Sequence, residues 1–163
     1  MRTIAVVFGM ILFISIVAHG MAASEERYGY ITVQDVTINL QNDSAIIDVE
    51  YSVDEGTRII FFLLGKQDLK NKLYHILNYP EAQARKINLN AAEFYVENAA
   101  YSYGKGIYWY PSHEFNVVIP SLTIRSPQVT RTFSMTSSFP DGIGYFDDGS
   151  TGRSPLSPPS DSG

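Results

Sequence analysis

The chain has 163 residues, the length of one domain, and carries 12 Lys+Arg against 17 Asp+Glu for a formal net charge of −5. That acidic balance excludes nucleic acid as a main partner and excludes a polybasic hold on anionic lipid, since both need a basic patch. The absence of cysteine excludes disulfides, Cys-based zinc sites, thiol nucleophiles and lipidated-cysteine anchors.

Arg2 opens the chain, Ile4 to Ala18 follows with no charge, and small residues from His19 to Ser24 lead into Glu25-Glu26. This order is that of a signal peptide over residues 1–23, with cleavage expected after Ala22 or Ala23. The alternative is an N-terminal membrane anchor built on residues 4–18. The apolar run is about 15 residues, short of the ~20 that a bilayer core requires, and so favours cleavage. Loss of Arg2 would leave the mature chain, about 140 residues long, near −6. That is long enough to bury a core without disulfides.

Residues 24–146 read as a single β-rich domain. Apolar and polar residues alternate from Tyr30 to Leu40, and the phase shifts at Gln34-Asp35 as a β-bulge would shift it. Gln41-Asn42-Asp43-Ser44 is a turn, and Asn42-Asp43-Ser44 is also an N-glycosylation sequon. Ile47, Val49, Tyr51 and Val53 then alternate with polar residues, completing a hairpin with one wet face. Ile59 to Leu64, continuously apolar, is expected to be a strand covered on both faces. Leu69, Leu73, Ile76 and Leu77 have helical spacing, and Pro80 closes that segment.

Strands return with Ile87, Leu89 and Ala91, then Phe94 and Val96 in the opposite phase. Tyr101 to Tyr110 reads as a tight hairpin around Gly104-Lys105-Gly106. Phe115, Val117 and Ile119 alternate, Leu122 and Ile124 follow, and Val129 to Met135 comes after a turn at Ser126-Pro127. Pro120 implies an edge or a bulge there. Asp147 to Gly163 is dominated by Gly, Ser and Pro and is expected to be a disordered tail. The pattern predicts a mainly antiparallel all-β fold, a β-sandwich or partly closed barrel with one short inserted helix.

Catalytic signals are sparse. Ser112-His113-Glu114 contains the residue types of a hydrolase triad, but adjacent side chains on an extended chain point to opposite faces. Two histidines beyond the leader, His75 and His113, are too few for a dedicated zinc site. Asp141, Asp147 and Asp148 around Gly142 and Gly144 read as a solvated acidic turn, without EF-hand spacing. No phosphate-binding glycine motif and no paired carboxylates stand out along the chain. No cofactor or metal is expected.

The candidate binding residues are Tyr101, Tyr103, Tyr108, Trp109 and Tyr110. A two-residue loop would put the four tyrosines on one face and Trp109 on the other. A three-residue loop would pair Tyr101 and Tyr103 with Ile107 and Trp109, leaving Tyr108 and Tyr110 opposite. Either way the hairpin carries aromatics on both faces. Such rings can form a platform for a sugar, a peptide or a subunit, or can stabilise the sheet through core packing and cross-strand pairs.

Gly106-Ile107-Tyr108-Trp109-Tyr110-Pro111-Ser112-His113, Ile119-Pro120-Ser121-Leu122-Thr123 and Phe139-Pro140-Asp141-Gly142-Ile143-Gly144-Tyr145-Phe146 together resemble a group of uncharacterised exported proteins of methanogenic archaea. The resemblance covers the last third of the domain. It implies a cell-envelope setting in which Asn42 could carry a glycan, and it brings no activity and no functional residue. The expectation is a secreted or cell-surface, non-catalytic binding or envelope protein, with an envelope glycan or envelope protein as partner. Two alternatives are an exported hydrolase assembled around His113, Glu114 and Asp141, and a signal-anchored subunit of a membrane complex.

Overall fold

The structure, a computed structural model, describes residues 29–147. The leader or anchor, Asp148 and the Gly/Ser/Pro tail from 148 onward lie outside the described residues. In chain order the elements are β1 (Ile31–Gln41), β2 (Ser44–Val53), α1 (Glu55–Leu64), α2 (Gln67–Leu77), β3 (Ala82–Ile87), β4 (Ala91–Val96), β5 (Tyr101–Gly104), β6 (Ile107–Tyr110), β7 (His113–Arg125), β8 (Thr130–Phe139) and β9 (Ile143–Phe146). Six strands form one sheet in the order β3-β4-β2-β1-β7-β8, and β5-β6-β9 form a second. Both sheets are open, and all strand pairs are antiparallel except β1 with β7. The framework is therefore the mainly antiparallel, two-sheet arrangement the alternation predicts.

The β1–β2 hairpin follows its sequence pattern closely. The register shift falls between Val33 and Asp35, and it returns Val36, Ile38 and Leu40 to the buried face. Asn42 takes φ 52° in the two-residue turn, a conformation Asn tolerates. Across the sheet, Ile38, Ile47 and Phe94 lie in one cross-strand row, as do Val36, Val49 and Ala92. All six are buried.

That buried face is covered in two places. At the open end of the hairpin lies α2, which buries Leu69, Leu73, Ile76 and Leu77 and sets Tyr74 edge-on to Phe94 at 5.2 Å. At the turn end lies the small sheet, tied down by Tyr145 Oη donating to the Asn42 carbonyl at 2.5 Å and Ala100 N–H donating to Asp43 at 3.0 Å.

The C-terminus of α2 is held by β7. Asn78 caps it in the left-handed conformation (φ 57°) and donates its side-chain amide to Glu114 O at 2.9 Å. Asn116 Nδ2 donates to His75 O at 2.7 Å, and the His113 ring bonds Leu77 O at 2.8 Å. Carbonyls that every helix end leaves unpaired thus receive side-chain donors from a strand far along the chain.

Three expectations are corrected. Ile59 to Leu64 belongs to a helix, α1, so the described residues hold two helices rather than one. Ile59, Ile60 and Leu63 are exposed rather than covered on both faces, and Phe61 is buried. The end signals outweigh the β-branched content: Thr57 and Arg58 N–H both bond Asp54 O, Glu55 sits in the first turn, and Gly65 closes the helix at φ 88°. The phase change after Ile87 is a chain reversal between β3 and β4, with Asn88 N–H bonded to Ala91 O at 2.8 Å. Pro120 lies in a strand flanked on both sides. Pairing with β1 begins one residue later at Ser121, and the β7–β8 register breaks before Ile119. A residue without an N–H is tolerated at that junction.

Candidate functional site

The aromatic hairpin turns through Lys105 (φ 53°) and Gly106 (φ 75°), both left-handed as a type I′ turn requires. The loop is thus the two-residue form, yet the faces are those expected of the three-residue one. A bulge between Ser102 and Gly104 makes Tyr103 an extra residue, so Tyr101 pairs with Trp109 and Ser102 with Tyr108. On the far side of β6, Ile107 pairs with Phe146 and Trp109 with Gly144. Tyr101, Trp109, Ile107 and Phe146 therefore share one face, with Tyr103 at the bulge beside them. All five are between 39 % and 71 % exposed.

Tyr108 and Tyr110 lie on the opposite, inward face, so they leave the candidate surface and join the packing. Tyr108 stacks on Tyr145 at 5.6 Å. Tyr110 is 1 % exposed, stacks on Phe139 at 5.8 Å and shares a hydroxyl–hydroxyl hydrogen bond with Tyr79. Burial pushes its phenol up to about 12, partly offset by that bond.

Glycine shapes the platform. A Cβ on Gly142 would stand 2.7 Å from the Trp109 ring and 2.8 Å from Tyr110 O, and Gly142 has φ +66°. A Cβ on Gly144 would meet the same ring at 3.5 Å. The indole thus lies in a trough over two glycines, one of them its cross-strand partner. The outer edge of β9 is closed by Gln128, whose amide accepts from Phe146 N–H at 3.0 Å and donates to Phe146 O at 2.7 Å, as a paired strand residue would. Asp147, at the start of the predicted tail, donates its N–H to Gly106 O at 2.8 Å. Ile107 and Phe146 were not among the predicted site residues. Their only signal is register with Trp109 and Tyr101, which needs β9 placed beside β6.

A second concave surface lies on the outer face of the large sheet. It is a groove of about 390 Å³ whose lining includes Asp35, Asp48, Glu50, Glu93, Lys86 and Arg125. Asp35 stands directly opposite Glu50, and Asp48 opposite Glu93. Burial and the Glu93 charge raise the Asp48 carboxyl above its ordinary range, against a 3.1 Å hydrogen bond from Asn39 and the charge of Arg125. Reading along the chain misses these pairs because each draws its members from two strands. No group of three metal-ligating side chains able to hold an ion occurs among the described residues.

His113 stands apart from both surfaces. Its ring stacks on Tyr79 at 3.7 Å and meets Phe115 edge-on at 4.8 Å. Its hydrogen bond goes to Leu77 O, not to Ser112, Glu114 or Asp141. Asn42 sits at the exposed tip of the β1–β2 turn, with its carbonyl occupied by Tyr145. No family model, no curated protein and no solved structure matches the chain.

Proposed function

We propose that this is an exported, non-catalytic binding protein of the cell envelope. On this reading residues 1–23 direct export, and the outer face of β5-β6-β9 stacks on a neutral sugar ring of an envelope glycan. The observation that carries the proposal is the sidedness of that sheet. Tyr108, Tyr110, Ile143 and Tyr145 supply its inward packing, while Tyr101, Ile107, Trp109 and Phe146 on the other face stay partly exposed to water. Exposed aromatics beyond the needs of the fold mark a binding surface.

Shape favours a sugar over a protein partner. Three strands about 4.8 Å apart and four residues at about 3.3 Å each make a narrow platform with a backbone footprint on the order of 150 Å². One or two pyranose rings match it, with their C–H faces on the rings and the Tyr101 and Tyr103 hydroxyls at the border.

Trp109, the only tryptophan, reports directly on the surface. Titration of the full chain with neutral hexose and N-acetylhexosamine oligosaccharides should shift its emission to the blue and protect it from acrylamide. Trp109→Phe should keep the fold, and Trp109→Ala should lose the glycan. Emission and quenching unchanged by every oligosaccharide would overturn the reading.

A further inference from the structure

The second unpartnered apolar surface is α1. At 100° per residue, Ile59, Leu63 and Ile60 fall within an arc of about 100°, and Phe61 projects about 150° from its middle. Phe61 is buried, its ring edge-on to Tyr30 at 5.1 Å, whereas the other three are 50 % to 73 % exposed. Among the described side chains of the helix, three large apolar ones thus share a face turned to water, where an amphipathic helix ordinarily carries polar residues. At ten residues it is too short to cross a bilayer, and no described helix is long and apolar enough to do so.

The position of α1 says what covers it. Asp54 N–H bonds Tyr30 O at 3.2 Å, so the helix begins beside the first described residues. Upstream of Gly29, ten residues separate it from Ala18, the end of the uncharged apolar run. Ten extended residues reach at most about 35 Å, so a bilayer receiving residues 4–18 lies within reach of Ile59, Ile60 and Leu63. The glycan platform lies at the other end of the β1–β2 hairpin, beyond an eleven-residue strand of about 35 Å.

We propose that α1 is an interfacial helix that lays Ile59, Ile60 and Leu63 on the membrane entered by residues 4–18, leaving the aromatic platform facing away from it. The attraction is apolar, so zwitterionic lipid suffices, in keeping with an acidic chain. The proposal takes residues 4–18 as the retained anchor rather than a cleaved leader, and it does not depend on what the platform binds.

The test uses the full chain with Ile60→Trp in a Trp109→Phe background, and separately Leu63→Trp in the same background. Both probe positions are exposed and tolerate an indole. Each protein is mixed with phosphatidylcholine vesicles, plain or brominated on the acyl chains near the headgroup. Expected are a blue shift on plain vesicles and loss of emission on brominated ones for both probes. In the unsubstituted chain Trp109 emission should be indifferent to bromine. A chain that sediments with vesicles while both probes ignore bromine would overturn the proposal. So would a probe already blue-shifted without lipid: at monomer mass the upstream segment covers α1, and at doubled mass a second copy does.

Discussion

The indole of Trp109 fills the space that a side chain on Gly142 would need. A Cβ there would meet the ring at 2.7 Å, while the cross-strand partner Gly144 leaves 3.5 Å. The two glycines should therefore respond differently to one added methyl. Gly142→Ala also suffers from its φ of +66°, and a loss of about 2–4 kcal/mol is expected from strain and overpacking together. Gly144→Ala makes an ordinary contact and should cost less than about 1 kcal/mol. Urea unfolding followed by Trp109 emission would check both, and equal losses would contradict the trough.

Tyr101 and Tyr110 lie on one hairpin with opposite roles. Tyr110→Ala empties a fully buried site and should cost about 3–5 kcal/mol. Tyr101→Ala removes an exposed cross-strand partner of Trp109, worth about 0.2–1 kcal/mol of stability, and should weaken glycan binding. Thermal unfolding and oligosaccharide titration of the two variants would separate fold from function.

Asn78 combines two duties at the end of α2, the left-handed cap and the 2.9 Å bond to Glu114 O. Asn78→Gly keeps the first and loses the second, an expected cost of about 1 kcal/mol. Asn78→Ala loses both and should be less stable than the glycine variant by about another 1 kcal/mol. Chemical denaturation of the three proteins would rank them.

The carboxylates of Asp48 and Glu93 face each other across β2 and β4. Asp48→Asn removes the like-charge pair and keeps an oxygen to accept from Asn39. At pH 7 it should stabilise the protein by about 0.5 kcal/mol after solvent screening. Because the folded-state carboxyl titrates above its ordinary 3.8, the native state holds the proton more tightly than the unfolded chain. Wild-type stability from this group falls as pH rises from 3.8 through the raised value, so the variant's advantage should vanish in acid. Unfolding midpoints at pH 7 and pH 3.5 would show it.

Burial holds the His113 imidazole below its ordinary 6.5, despite the Leu77 carbonyl and the nearby Glu114 charge that draw it back up. The unfolded chain therefore takes up the proton first, and stability falls as pH drops below 6.5 towards the folded value. His113→Gln can still donate to Leu77 O but cannot titrate. Between pH 7.5 and 5.5 its urea midpoint should fall less than that of the wild type. An identical fall would place the proton uptake elsewhere.

Local pattern made much of this protein legible from its sequence. The β1–β2 hairpin and its bulge follow from a period of two and one phase slip, and the buried side of α2 follows from a period near 3.6. Each signal lies within a dozen consecutive residues and needs no partner to be read. The aromatic platform was legible only in part. Composition pointed to the hairpin, but the Tyr103 bulge decided which aromatics share a face, and the pairing of β6 with β9 added Phe146. The Asp48–Glu93 pair, the donation from Asn116 and His113 to the end of α2, and the Gly142 trough all join residues distant in the chain, and tertiary structure alone brings them together. For α1, composition argued for a strand, and the bonding at Asp54 with the closure at Gly65 made it a helix. The fold leaves Ile59, Ile60 and Leu63 in water while Phe61 packs against Tyr30, and exposure is a property of what surrounds a residue rather than of the residue itself.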